Sequence, residues 1–133
     1  MTGAERSEAV TRGVRVEVRS QLVPERSDPE TGQWLFAYRV RITNAGGAPV
    51  QLVSRHWVII DGRGRVEEVR GPGVVGEQPL LRPGEAFEYT SSCPLRTAHG
   101  TMHGSYQMLR PDDASSFDAE IAPFALGEPE AVH

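Results

Sequence analysis

Val14, Val16 and Val18 alternate with Arg15, Glu17 and Arg19, the period-two signature of a half-buried strand over about residues 14–23. The signature returns more strongly where Trp34, Phe36, Tyr38, Val40 and Ile42 share one parity and Arg39, Arg41 and Thr43 the other. This aromatic row is the expected centre of the core. From Val50 to Ile60 apolar residues fall on both parities, Val50, Leu52, Val58 and Ile60 against Val53, Trp57 and Ile59, which predicts a strand covered on both sides at its end. Val66 and Val69 open a shorter strand, and Phe87, Tyr89 and Ser91 mark another. Met102, Gly104, Tyr106 and Met108 alternate with His103, Ser105, Gln107 and Leu109. Phe117, Ala119 and Ile121 make the last strand, broken by Pro123, with Phe124 and Leu126 still able to pack.

The segments between these runs carry turn chemistry. Pro24 to Gly32 is a polar, turn-rich connection long enough to be mobile, and Asn44-Ala45-Gly46-Gly47-Ala48-Pro49 predicts a hairpin. Leu81-Arg82-Pro83-Gly84-Glu85 fits a type II turn, with Pro83 fixing φ and Gly84 supplying a positive φ. No helical period occurs anywhere. Short strands with turn signals roughly every ten residues predict an all-β fold, an immunoglobulin-like or fibronectin type III-like β-sandwich of seven to eight strands. The domain is expected over residues 13–127, between disordered tails at 1–12 and 128–133.

Composition narrows the function classes. A chain of 133 residues suits one domain with an ordinary core. Cys93 is its single cysteine, so no intrachain disulfide can form, and nothing suggests a secreted disulfide scaffold. No apolar run approaches the roughly 20 residues that span a bilayer, and the polar start has no signal-peptide core, so no membrane partner and a cytoplasmic location are expected. A formal charge of −4 disfavours nucleic-acid binding, which draws on phosphate neutralisation. All fourteen basic residues are arginine. Genome composition accounts for that bias; a functional alternative is an anion site, because the guanidinium fork binds phosphate or carboxylate bidentately.

The densest demand on backbone geometry lies in Arg70-Gly71-Pro72-Gly73-Val74-Val75-Gly76-Glu77-Gln78-Pro79, which contains the G-x-G-x-x-G spacing of dinucleotide-binding loops. That motif needs a helix after it to receive the phosphate. Here Pro79 and Pro83 follow within a few residues, which excludes the helix and with it the Rossmann function. Glycines exposing backbone N–H groups beside Arg70 still make a candidate anion nest, against the alternative that Arg70 pairs with Glu67, Glu68 or Glu77.

Other chemistry-bearing residues form weaker patterns. His99 and His103 have H-x-x-x-H spacing, and with His56 or Cys93 they are candidate ligands for Co²⁺ or Zn²⁺, although in a β context they read as exposed side chains. Cys93 with His99 or His103 imitates a nucleophile–base pair, but no oxyanion motif accompanies it, and Pro94 points to a strand end. The adjacent pairs Glu67-Glu68 and Asp112-Asp113 point to opposite sides of extended chain and cannot readily share a proton or metal.

Arg55-His56-Trp57, the whole run from Asp61 to Pro79, Leu81-Arg82-Pro83-Gly84-Glu85, Phe87, Tyr89, Ser91, Gly100, Met102, Gly104 and Tyr106-Gln107-Met108 closely resemble the pattern of the ApaG family, over roughly residues 14 to 126. The resemblance implies a fibronectin type III-like sandwich, bacterial and cytoplasmic, associated with cobalt resistance and magnesium efflux and encoded near a diadenosine tetraphosphatase. Related domains in eukaryotic F-box proteins and in a polymerase-delta-interacting protein imply a protein-interaction module. The resemblance carries over no catalytic residue, and His99 and His103 depart from its pattern. The expected function is therefore a non-enzymatic binding or regulatory module with an unidentified protein partner. Its expected recognition loop comprises Arg70, Gly71, Gly73, Gly76, Glu77 and Gln78, and no cofactor is expected. The alternative is direct binding of a divalent cation, Co²⁺ or Mg²⁺, or of a phosphate or pyrophosphate anion; an enzyme acting on a nucleotide stands third.

Overall fold

The computed structural model describes residues 5–127. It contains β1 (Arg6–Thr11), β2 (Val14–Leu22), β3 (Trp34–Asn44), β4 (Val50–Asp61), β5 (Val66–Pro72), β6 (Leu80–Leu81), β7 (Ala86–Leu95), β8 (His99–Arg110) and β9 (Ser115–Gly127). Two antiparallel sheets, ordered β1-β2-β3-β7 and β5-β4-β8-β9, stack face to face, and the two-residue β6 pairs with the start of β4. Without β1 and β6 this is the three-plus-four strand order of a fibronectin type III-like sandwich, the fold class that alternation and turn spacing predict.

The core forms where the inward parities of the sheets meet. Phe36, Tyr38, Val40 and Ile42 of β3 face Leu52, Trp57, Met102, Tyr106 and Met108 of the opposite sheet. Tyr38 meets Trp57 edge-on at 5.2 Å between ring centroids, and Trp57 meets Tyr106 at 6.3 Å. Such edge-to-face pairs add about 0.5–1.5 kcal/mol each beyond the area they bury.

Several expectations need correction. Residues 6–11 are a strand, not a tail: β1 pairs with β2 from Arg6↔Arg19 to Thr11↔Val14. Its inner side is held by hydroxyls, with Ser7 Oγ donating to Ala122 O at 2.7 Å and Thr11 Oγ1 accepting from Glu120 N at 3.0 Å, so it shows no apolar alternation. The tail expectations for residues 1–4 and 128–133 lie outside the described residues. Residues 24–32 form two 3₁₀ turns, Pro24–Arg26 and Pro29–Thr31. Ser27 ties them down, donating to Val23 O and accepting from Leu35 N.

The Asn44–Pro49 segment is not a hairpin, because β3 and β4 belong to different sheets. Buried Asn44 fixes this crossover: its Nδ2 donates to Ala48 O and Leu81 O, and its Oδ1 accepts from Gly46 N. Apolar residues on both parities of β4 reflect a β-bulge rather than cover on both sides. Pairing with β8 slips by one residue between Leu52 and Ser54, so the inward set changes from Val50 and Leu52 to Trp57 and Ile59. Likewise Pro123 does not break β9. It sits in a second bulge opposite His103, where a residue lacking an N–H is tolerated, and the inward set moves from Ala119 and Ile121 to Phe124 and Leu126.

Candidate functional site

The glycine loop is a miniature hairpin. Val74 N donates to Glu77 O at 2.8 Å and Glu77 N to Val74 O at 2.9 Å, which leaves Val75 and Gly76 as a two-residue turn with φ of 44° and 81°. Positive φ at both positions is the type I′ geometry that suits twisted strands. Each motif glycine has its own reason. Gly71 lies opposite Arg55 on β4, where an added Cβ would crowd the guanidinium at 3.0 Å. At Gly73 an added Cβ would collide with the Glu77 carbonyl. Gly76 meets nothing and supplies positive φ alone. No helix follows, so the loop is not a dinucleotide cradle.

The structure disperses the residues proposed for the loop. Arg70 is exposed, with its Nη2 3.6 Å from Glu68 Oε1, the pairing that the sequence offered as the alternative to an anion nest. Gln78 Nε2 donates to Val53 O at 2.8 Å and so braces the β4 bulge. The N–H groups of Gly73, Val74 and Glu77 are spent on backbone carbonyls. The solvent-facing part of the loop is Arg70, Pro72 and the run Val75, Gly76, Glu77 and Gln78.

Arg55 is the arginine that the loop engages. Past the bulge it shares the inward parity of Trp57 and Ile59, so the strand turns a guanidinium toward the mouth of the core. Its Nη1 donates to Pro72 O and Gly73 O, both at 2.9 Å. A cavity of about 380 Å³ opens there, walled by Tyr38, Trp57, Tyr89, Ser91 and the turn at Val75 and Gly76. A second hollow of about 580 Å³, lined by Trp34, Ile59, Glu67 and Leu95 among others, lies farther along the same side, between β7 and β5. One margin of the sandwich is thus closed by β1 against β9, and the other is cleft.

Burial pushes the phenols of Tyr38, Tyr89 and Tyr106 up, and the charge of Arg55 acts against that rise. The Tyr89 and Tyr106 hydroxyls share a hydrogen bond across the sheets. Sequence reasoning quoted Arg55 and gave it no role; its phase with Trp57 and Ile59 was the available signal.

The remaining candidates do not converge. His56 on β4 touches Glu68 at 2.7 Å on the outer face of its sheet. His103 is diagonal to it, since Val58 pairs with His103 and His56 with Ser105. His99 begins β8, four residues earlier and so about 13 Å away along the strand. Among the described residues no three His, Cys, Asp or Glu side chains are grouped to hold a metal ion. Cys93 is 3% exposed, and burial raises its thiol to about 11, so it does not supply thiolate at neutral pH. No helix of the described residues is long and apolar enough to cross a membrane.

Strand order and the hairpin-capped cleft define a fibronectin type III-like sandwich whose distinguishing features gather at one margin. The ApaG domain profile matches residues 24–110. Protein ApaG of Anaeromyxobacter dehalogenans strain 2CP-C is 58% identical over 127 residues, covering 96% of this chain and 99% of the relative. Protein ApaG of Dechloromonas aromatica is 54% identical over 125 residues, covering 92% and 98%. The crystal structure of a Bordetella pertussis protein described as ApaA superposes with a TM-score of 0.86 at 49% identity, covering 98% of this chain and all of that one. The C-terminal domain of Wzt, with a TM-score of 0.54 at 12% identity, shares the fold alone. The chain belongs to the ApaG family.

Proposed function

We propose that this protein is a non-enzymatic binding module that acts in the cytoplasm through a protein partner and contributes in that way to Co²⁺ resistance and Mg²⁺ efflux. The observation that carries the proposal is Val75, a β-branched residue held at φ 44° and 57% exposed at the tip of the hairpin. A non-glycine residue in this conformation costs on the order of 1–3 kcal/mol, and such strain gathers where a site needs it. An apolar side chain both strained and in water is accounted for by a partner that covers it. Glu77, which closes the same hairpin turn, is also exposed.

Val75→Asn tests the proposal, because asparagine suits the first position of a type I′ turn and removes the apolar surface. Immobilised wild-type protein is expected to retain a protein from extract of its own cells that the variant does not retain, while the variant melts at least as high. The variant is also expected not to restore growth in Co²⁺ to cells lacking the protein. Equal retention by both proteins would exclude the tip as the contact.

A further inference from the structure

Resting on the partner-binding proposal, a second observation gives that partner a chemistry. Arg55 carries five N–H donors, and both hydrogens of Nη1 are spent on Pro72 O and Gly73 O. The edge that remains, Nε–H beside Nη2–H, is the planar fork that matches a carboxylate bidentately. It has no protein acceptor among the described residues, and its atoms are not among the sealed, unpaired ones. Among the described residues, Arg55 is the one charged side chain that lines the cavity at the mouth of the sandwich. A singly charged oxyanion would neutralise this lone cation, whereas a phosphate dianion would leave a net charge in the cavity. Tyr38 and Ser91 line the same cavity, as does Val75, whose side chain is exposed.

We propose that this cavity is a carboxylate pocket, in which the free fork of Arg55 receives one carboxylate of a polypeptide partner while the partner's adjoining chain covers Val75. The carboxylate comes from an acidic side chain or from a chain terminus, and the two sources are separable by experiment. Phenols are protonated at neutral pH and burial raises Tyr38 and Tyr89 further, so they bring no competing negative charge to the pocket.

The test is an NMR titration of the isolated full chain, read at the Arg55 Nε–H resonance and at the amides of Gly76 and Ser91. N-acetylglycine presents a terminal carboxylate, N-acetylglutamate α-amide a side-chain carboxylate, and inorganic phosphate is the competing anion. At least one carboxylate is expected to move these resonances saturably, with a dissociation constant on the order of 1 mM. The better of the two identifies the source. Arg55→Lys keeps the charge and loses the fork, so it is expected to bind at least tenfold more weakly. An unmoved Arg55 Nε–H in the wild-type chain overturns the proposal without recourse to any variant. So does binding of phosphate with neither carboxylate, or undiminished carboxylate affinity in folded Arg55→Lys. No partner takes part in the titration, so the pocket can fail while the Val75 contact stands, and Val75→Asn can abolish partner capture while the pocket still binds carboxylate.

Discussion

Burial raises the Cys93 thiol from the usual 9.0 to about 11, and the charge of Glu67 adds to the rise. The consequence for stability has a definite sign. Between these values the unfolded chain has released its thiol proton and the folded chain has kept it, so the contribution is complete below pH 9 and is lost as pH rises toward 11. Urea melts of the wild type should weaken more steeply over that interval than those of Cys93→Ala, and iodoacetamide should label Cys93 only on unfolding; rapid labelling of the native protein would contradict the buried position. The glycines are expected to separate in the same way. Gly76→Ala meets open space and should cost about 1–2 kcal/mol for its left-handed backbone, whereas Gly73→Ala drives a Cβ into the Glu77 carbonyl and should cost more. Comparable melting losses for the two variants would mean that the hairpin shifts to admit the Cβ. At this scale the spacing of the glycines was plain in the sequence and their separate reasons were not, because two of the three depend on atoms brought opposite by folding.

Alternation located the strands well wherever one face met the core, as in β2, β3 and β8. It failed where the inward side is satisfied by hydroxyls instead of methyl groups, and β1 is the case: Ser7 and Thr11 bond to β9, and Val10 faces out. It also misled at the bulges, since a mixed parity can mean two covered faces or one extra residue, and only register distinguishes them. The bulge in β4 matters beyond packing, because it turns the parity shared by Arg55 and Trp57 to the same inward face as Val50 and Leu52. Deleting Val53 should join Leu52 to Ser54 in unbroken register with β8 and keep Val50, Leu52, Arg55, Trp57 and Ile59 on the inward face, while removing the carbonyl that accepts from Gly73 N and Gln78 Nε2. The deletion is expected to lower the melting temperature by a few degrees through the hairpin alone, and a collapse of the fold would show that the bulge itself is needed for packing. Removing residues 1–11 tests β1 in turn. It uncovers the edge of β2 and removes two hydroxyl ties to β9, those of Ser7 and Thr11, together with the Ser20–Glu5 contact, while Ser20 of β2 keeps its bond to Ala125 O. A loss of several degrees is expected, and an unchanged melt would make β1 an accessory.

Across the whole molecule the two margins are fastened differently, one by β1 on β9 and the other left cleft with Arg55 and the hairpin at its mouth. Behind that mouth the sheets are joined by the hydrogen bond between Tyr89 of β7 and Tyr106 of β8, at the back of the same aromatic cluster. Burial raises both phenols above their usual pKa, and each hydroxyl depends on the other for its hydrogen bond. The energetics of such a pair are asymmetric. Removing one hydroxyl strands its partner at about 1–3 kcal/mol, while removing both leaves two phenyl rings of nearly the same shape at little cost. Tyr89→Phe and Tyr106→Phe are therefore each expected to lower stability by that amount, and the double variant by less than the sum, with a coupling of about 1 kcal/mol or more in a double-mutant cycle of denaturant melts. Strict additivity would mean that each hydroxyl finds another acceptor, and the bond would then not be what ties the two sheets beneath the cleft. Coupling in stability together with an unchanged carboxylate titration of Tyr106→Phe would separate the scaffold from the pocket it supports, since Tyr106 does not line that cavity.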